Sequence, residues 1–206
     1  MELEADKKER NQKHDIPTGQ VVNVLHSGVK RVWIEMGFFI MLLAAVCTIT
    51  EIDTVLHSSF VGMLCKATIN TLGMVIIYYA MLKGMLPLHR PLTAMWIVLL
   101  VLNAIGFCSS LLGYFGAPFD SFDFWVAASL SLAYLPMGVL LIVWYRGKLG
   151  RMGLWMILRI LTVTLLPLAW FMFLGDRLLT LRDIIVLAVE VIYAYLLRDI
   201  LVSNKD

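Results

Sequence analysis

No HExxH, GxSxG, Walker A or paired-carboxylate motif occurs in this chain, and its four histidines, His14, His26, His57 and His89, all fall outside the deep parts of the apolar runs. Enzymes that work inside a bilayer need a nucleophile with its base, or an Asp/His/Arg cluster that holds metal and phosphate. An enzyme is therefore the least supported class, and no catalytic residue, metal site or cofactor is assigned. Cysteine is equally sparse. Cys47, Cys65 and Cys108 show no CxxC spacing and lie in apolar segments, so they read as small hydrophobes with no zinc site or redox pair. A strong net charge is missing too: at +2 there is no general attraction to nucleic acid. Glu51, Asp53 and His57 gather between the first two apolar runs and read as a hydrated loop in preference to a cation site. The first 32 residues are polar and mixed in charge, which excludes a cleavable signal of the usual kind and leaves the first apolar run as its own targeting signal.

Apolar residues dominate the remainder. They make up 60% of the 206 residues, with a mean hydropathy of +0.83, far more than a soluble core of this size buries. Runs long enough to cross a bilayer cover about 33–52, 57–83, 91–114, 123–145, 153–174 and 178–201. The expected fold is all-α, a polytopic integral membrane protein of six transmembrane helices. Residues 1–32 form a cytoplasmic tail, 33–201 the membrane domain and 202–206 a short cytoplasmic end. Short connections such as "RGKLGRMG" and "GDR" make successive helices antiparallel neighbours.

The basic residues orient this bundle. Lys7, Lys8, Arg10, Lys13, Lys30 and Arg31 precede the first run; Lys83 and Arg90, then Arg146, Lys148 and Arg151, occupy the second and fourth connections; Arg198 and Lys205 end the chain. These places share one side if the runs alternate, and they hold 13 of the 17 basic residues. The other side carries Asp53, Asp120, Asp123 and Asp176, with Arg177 as its clear cation. Both termini are thus expected in the cytoplasm. Trp33, Trp125, Trp144 and Trp155 lie near run ends, as headgroup-level anchors do, while Trp96 and Trp170 sit deeper. In the tail, Val21, Val22, Leu25, Val29 and Val32 recur at helical spacing, which predicts a short amphipathic helix on the cytoplasmic leaflet. The first 15 residues read as solvated and disordered.

Three ionisable residues lie deep: Lys66, Arg159 and Glu190. A charge near the bilayer centre costs about 2.5–3.5 kcal/mol on insertion scales, so each needs a partner or water. By depth Glu190 falls between the two cations, and it is expected to pair with Lys66, Arg159 or both, with Lys66 preferred because Arg159 is close enough to the cytoplasm to snorkel. Gly62, Lys66, Asn70 and Gly73 form a small and polar stripe that suits a facing helix, and Asp183 shares a stripe with Glu190. Pro136 and Pro167 fall near the middle of their runs and predict kinks beside a midplane cavity.

The function expected is a small solute transporter, or the membrane subunit of a transport complex. Its path would be lined by Lys66, Asn70, Asn103, Arg159 and Glu190. The cations suit a small anionic solute, and Glu190 would carry protons. Two alternatives come from other classes: a homo-oligomeric membrane pore or effector of the stress or phage-defence type, and a non-catalytic assembly subunit that docks a protein partner through its tail. The bacterial inner membrane is the expected location, with the lipid bilayer as the general partner.

Overall fold

The computed structural model describes residues 19–47, 60–114, 120–162, 166 and 179–203. Among them the chain is overwhelmingly helical: α1 (Arg31–Cys47), α2 (Phe60–Met85), α3 (Arg90–Tyr114), α4 (Asp120–Trp144), α5 (Lys148–Ile160) and α6 (Leu179–Val202). Two residues each of β1 (Gln20–Val21) and β2 (Tyr145–Arg146) pair in parallel. Each helix packs on the next in sequence, and α6 returns to pack on α1, with a further contact between α2 and α6. The result is a closed ring of six helices, as short connections between long apolar elements favour.

Glycines set how close the helices come. A β-carbon added at Gly73 would lie 2.8 Å from the Met41 backbone nitrogen, and one at Gly37 would lie 2.9 Å from the Ile76 side chain. These pairings run α1 and α2 antiparallel. They also show that Gly73 abuts α1, so at that position the small stripe does not face α6 as the sequence suggested. At the α4–α5 crossing, a β-carbon at Gly153 would meet the Gly138 carbonyl oxygen at 2.6 Å. No side chain fits between those backbones.

The bundle is apolar in its core and over much of its outer surface. Inside the ring are Tyr78, Trp96, Tyr193 and the methionines Met81, Met85, Met137, Met152 and Met156, all fully buried. Outside, large aliphatic and aromatic side chains are exposed on every helix, among them Phe39, Leu72, Val101, Val143, Leu154 and Ile184. One helical stretch among the described residues, Arg90–Cys108, is long and apolar enough on its own to cross a membrane, and Leu132–Trp144 is a shorter apolar one. The runs 33–52, 57–83, 153–174 and 178–201 extend into segments outside the described residues, whereas 123–145 lies within them, and α1 is described for 17.

Residues 19–30 are not the amphipathic helix their spacing predicts. They form a non-helical strap across one end of the ring. The strap's amide of Val22 donates to the Arg146 carbonyl (3.2 Å) and the Leu25 amide to that of Ile200 (2.9 Å), while the Leu149 amide donates back to Val22 (3.2 Å). Val22 and Leu25 point into the core. Of the expected apolar stripe, Val29 is partly buried and Val21 and Val32 are exposed, and neighbouring helix ends supply the hydrogen bonds a helix would have made for itself. Gly19 and Gly28 have φ of 82° and 66°, values a glycine adopts without cost and a helix does not contain.

Candidate functional site

Four helices converge on a cluster of polar side chains inside the ring. Arg159, in the last turn of α5, donates from Nε to Glu190 Oε1 of α6 at 2.7 Å. Its guanidinium lies over two aromatic rings, with Cζ 5.6 Å from the ring centre of Tyr134 on α4 and 5.2 Å from that of Tyr193 on α6. Electron-rich ring faces stabilise the cation where water is scarce. The hydroxyls form their own chain. Tyr78 of α2 shares a hydrogen bond of 2.5 Å with Tyr134 and one of 3.2 Å with Tyr193. Tyr78 is held from behind, since Trp96 Nε1 of α3 donates to its backbone carbonyl at 2.8 Å and packs edge-on against its ring.

This arrangement follows from local sequence. Tyr193 lies three residues after Glu190, so both occupy one face of α6. A buried tyrosine or tryptophan places its ring among apolar neighbours but needs a partner for its O–H or N–H. Here the partners are each other and one helix carbonyl. Charged groups removed from water must likewise be paired, and Arg159 and Glu190 pair with each other.

The pairing is only half of what Arg159 offers. The guanidinium has five N–H donors in a planar fork, and among the described residues only Nε is hydrogen-bonded. The two terminal nitrogens have no protein acceptor there. The side chains of Arg159 and Glu190 remain 16% and 18% exposed, so the site is not sealed. A planar guanidinium in a restricted, mostly apolar space is suited to the oxygens of a carboxylate or phosphate.

The expected site residues separate into three groups. Arg159 and Glu190 come together, the less favoured of the two pairings for Glu190. The helix register explains why. Leu25 touches both Gly84 and Ile200, and Tyr78 touches Tyr193, so α2 and α6 run parallel with Val75 level with Glu190. Lys66 lies nine residues earlier in α2, roughly 13 Å away along the axis at about 1.5 Å per residue, and its side chain lies outside the described residues. Asn103 belongs to the second group. Its Nδ2 donates to the Leu99 carbonyl one turn back, at 2.7 Å, a bond within its own helix. Pro136 is also in place but turned away: α4 continues through it and it is exposed on the outer side, so it does not border the cluster. The third group lies outside the described residues: Pro167, the Glu51, Asp53 and His57 loop, Trp170, the first 18 residues, and the side chains of Lys66, Asn70 and Trp125. Asp183 takes its partner from the adjacent residue, Arg182, at 2.7 Å.

Sequence reading missed Tyr78, Tyr134, Tyr193 and the structural part played by Trp96. The available signal was three tyrosines inside apolar runs, where a buried hydroxyl needs a protein partner.

A second polar cluster holds the strap end together. Arg198 grips Glu35 with two bonds of 2.6 Å, and Arg31 approaches the same carboxylate at 3.6 Å. Lys148 reaches Asp199 at 2.8 Å and the Ser203 hydroxyl at 2.7 Å. Comparison with protein-family models, with curated proteins and with solved structures finds no match to this chain.

Proposed function

We propose that the protein is a six-span membrane protein with both termini in the cytoplasm, of the bacterial inner membrane, that binds a small anionic solute at Arg159 and works as a transporter or as the membrane subunit of a transport complex. The observation that carries this reading is Arg159 itself. It is an arginine inside a helix ring, stacked on two tyrosines and bonded once to Glu190, with its terminal nitrogens unclaimed by any described residue. The apolar exterior on every helix supports the membrane setting, because soluble monomers rarely expose apolar surface on that scale.

The test uses purified protein in lipid nanodiscs. Inorganic phosphate and small mono- and dicarboxylates are titrated while the melting temperature is followed, at constant ionic strength. One anion class is expected to stabilise saturably, by about 2.7 kcal/mol at a hundredfold excess over its Kd. Arg159→Lys keeps the charge but lacks the planar fork, and is expected to lose the response. If both anion classes act equally on the parent and on Arg159→Lys, the effect is general salt and the assembly-subunit reading replaces this one.

A further inference from the structure

The strap sits across the end of the ring from which α5 and α6 lead to the charged cluster. Met81, Met85, Met137, Met152 and Met156 belong, with leucines such as Leu141, Leu149 and Leu197, to the one continuous core that includes both Val22 and Leu25 of the strap and Tyr78 and Tyr193 of the cluster. Five unbranched, fully buried thioether side chains make a barrier that repacks more easily than leucine or valine would. Apolar constrictions of this kind close pores to water and ions without any covalent stop.

The strap is attached in a way that permits release. Gly19 and Gly28 bracket it, both with positive φ, and a side chain added at Gly28 would touch nothing within 4 Å. Its second half, from Val24 to Val29, borders a cavity of about 320 Å³ shared with Arg31, Ile34 and Leu201. There is free volume for it to move into. Its tightest seat is opposite: a β-carbon at Gly84 would lie 2.7 Å from Leu25 Cβ, so Leu25 closes the mouth only because residue 84 has no side chain.

We infer that residues 19–30 are a releasable closure of this mouth, and that the core methionines are the yielding part of the same gate. The inference rests on reading Arg159 and Glu190 as a solute site, for which this gate would be the cytoplasmic one.

The experiment uses the full chain in nanodiscs, with Cys47, Cys65 and Cys108 replaced by alanine and Met85→Cys as a reporter beneath the strap. Labelling by a membrane-impermeant maleimide is followed together with hydrogen exchange. Segment 19–30 is expected to exchange about a hundredfold faster than the interiors of α2 and α6, as a unit of low local stability. Gly84→Ala displaces Leu25 and is expected to raise labelling at least tenfold while helix exchange stays unchanged. Where Gly84→Ala does not assemble, Leu25→Ala removes the same seal without a clash and carries the same expectation. Equal protection of strap and helices, unchanged labelling, or labelling that rises only in step with helix exchange each overturns the inference. Neither readout uses a solute. A strap that opens in a protein that binds no anion leaves the gate standing and removes the transport reading; anion binding under a strap that never opens does the reverse.

Discussion

At the scale of single residues the decisive fact is that Glu190 and Arg159 neutralise each other in a place where neither pairs with another charged group among the described residues. Removing one charge leaves the other uncompensated in a low-dielectric interior, which for a buried pair costs about 3–5 kcal/mol. The two side chains are 16% and 18% exposed, so the lower end applies. Arg159→Met and Glu190→Met are each expected to destabilise the protein by about 3 kcal/mol. The double variant is expected to recover most of that loss, because two apolar side chains of similar length then fill the same space. Chemical denaturation in a fixed detergent measures all three. A double variant no more stable than the singles would mean that the tyrosine chain, and not the pair, holds the four helices together. That Glu190 needed a cation was readable from one carboxylate in an apolar run. Which cation was not readable, because the sequence gives depth only from assumed helix ends. The actual register of α2 against α6 depends on where Leu25 wedges against Gly84 and Ile200.

At the scale of elements, the helices were well announced and the strap was not. Each of the six apolar runs holds one of the helices α1 to α6, at least in part, because apolar residues at helical spacing pack a bundle and the helix satisfies its own backbone. Residues 19–30 follow a helical rhythm in their valines, but a rhythm of i, i+3 and i+4 also fits a chain that turns apolar side chains toward a mouth below it at irregular intervals. The two glycines at 19 and 28 were the warning. Glycine also governs the tightest crossing. Gly138 and Gly153 each lack room for a β-carbon against the other's carbonyl oxygen, at 2.8 and 2.6 Å, and the obstacle is backbone that cannot rotate aside. Gly153→Ala is therefore expected to push α4 and α5 apart and cost about 1–3 kcal/mol, as overpacking does elsewhere. Leu154→Ala, at an exposed position one residue on, is expected to leave the bundle's melting temperature within a few degrees of the parent's. Because Arg159 lies on the same helix six residues beyond Gly153, the same displacement is expected to weaken the contact with Tyr134 on α4.

At the scale of the whole molecule, two ends of the ring differ in charge. The strap end gathers Lys30 and Arg31 before α1, Lys83 and Arg90 around the α2–α3 turn, Arg146, Lys148 and Arg151 around the α4–α5 turn, and Arg198 near the end of α6. Glu35 and Asp199 tie some of these together, but orientation in membranes follows the count of Lys and Arg and not the net charge. At the opposite end the described residues include Arg182, already paired with Asp183. A ring with an apolar exterior and one basic end has a single favourable way to sit in a bilayer. Ser203→Cys at the strap end and Leu181→Cys at the other, each exposed and placed singly in a cysteine-free background, test it. In inverted membrane vesicles an impermeant maleimide is expected to label Ser203→Cys and spare Leu181→Cys, with the pattern reversed in right-side-out cells. Labelling of both from one side would mean that α6 does not cross the membrane, and the charged cluster on it would then have no midplane to occupy. The reversed pattern would keep the six-span fold but put the strap outside, where the acidic headgroups that favour a basic end in the cytoplasmic leaflet would no longer account for its orientation.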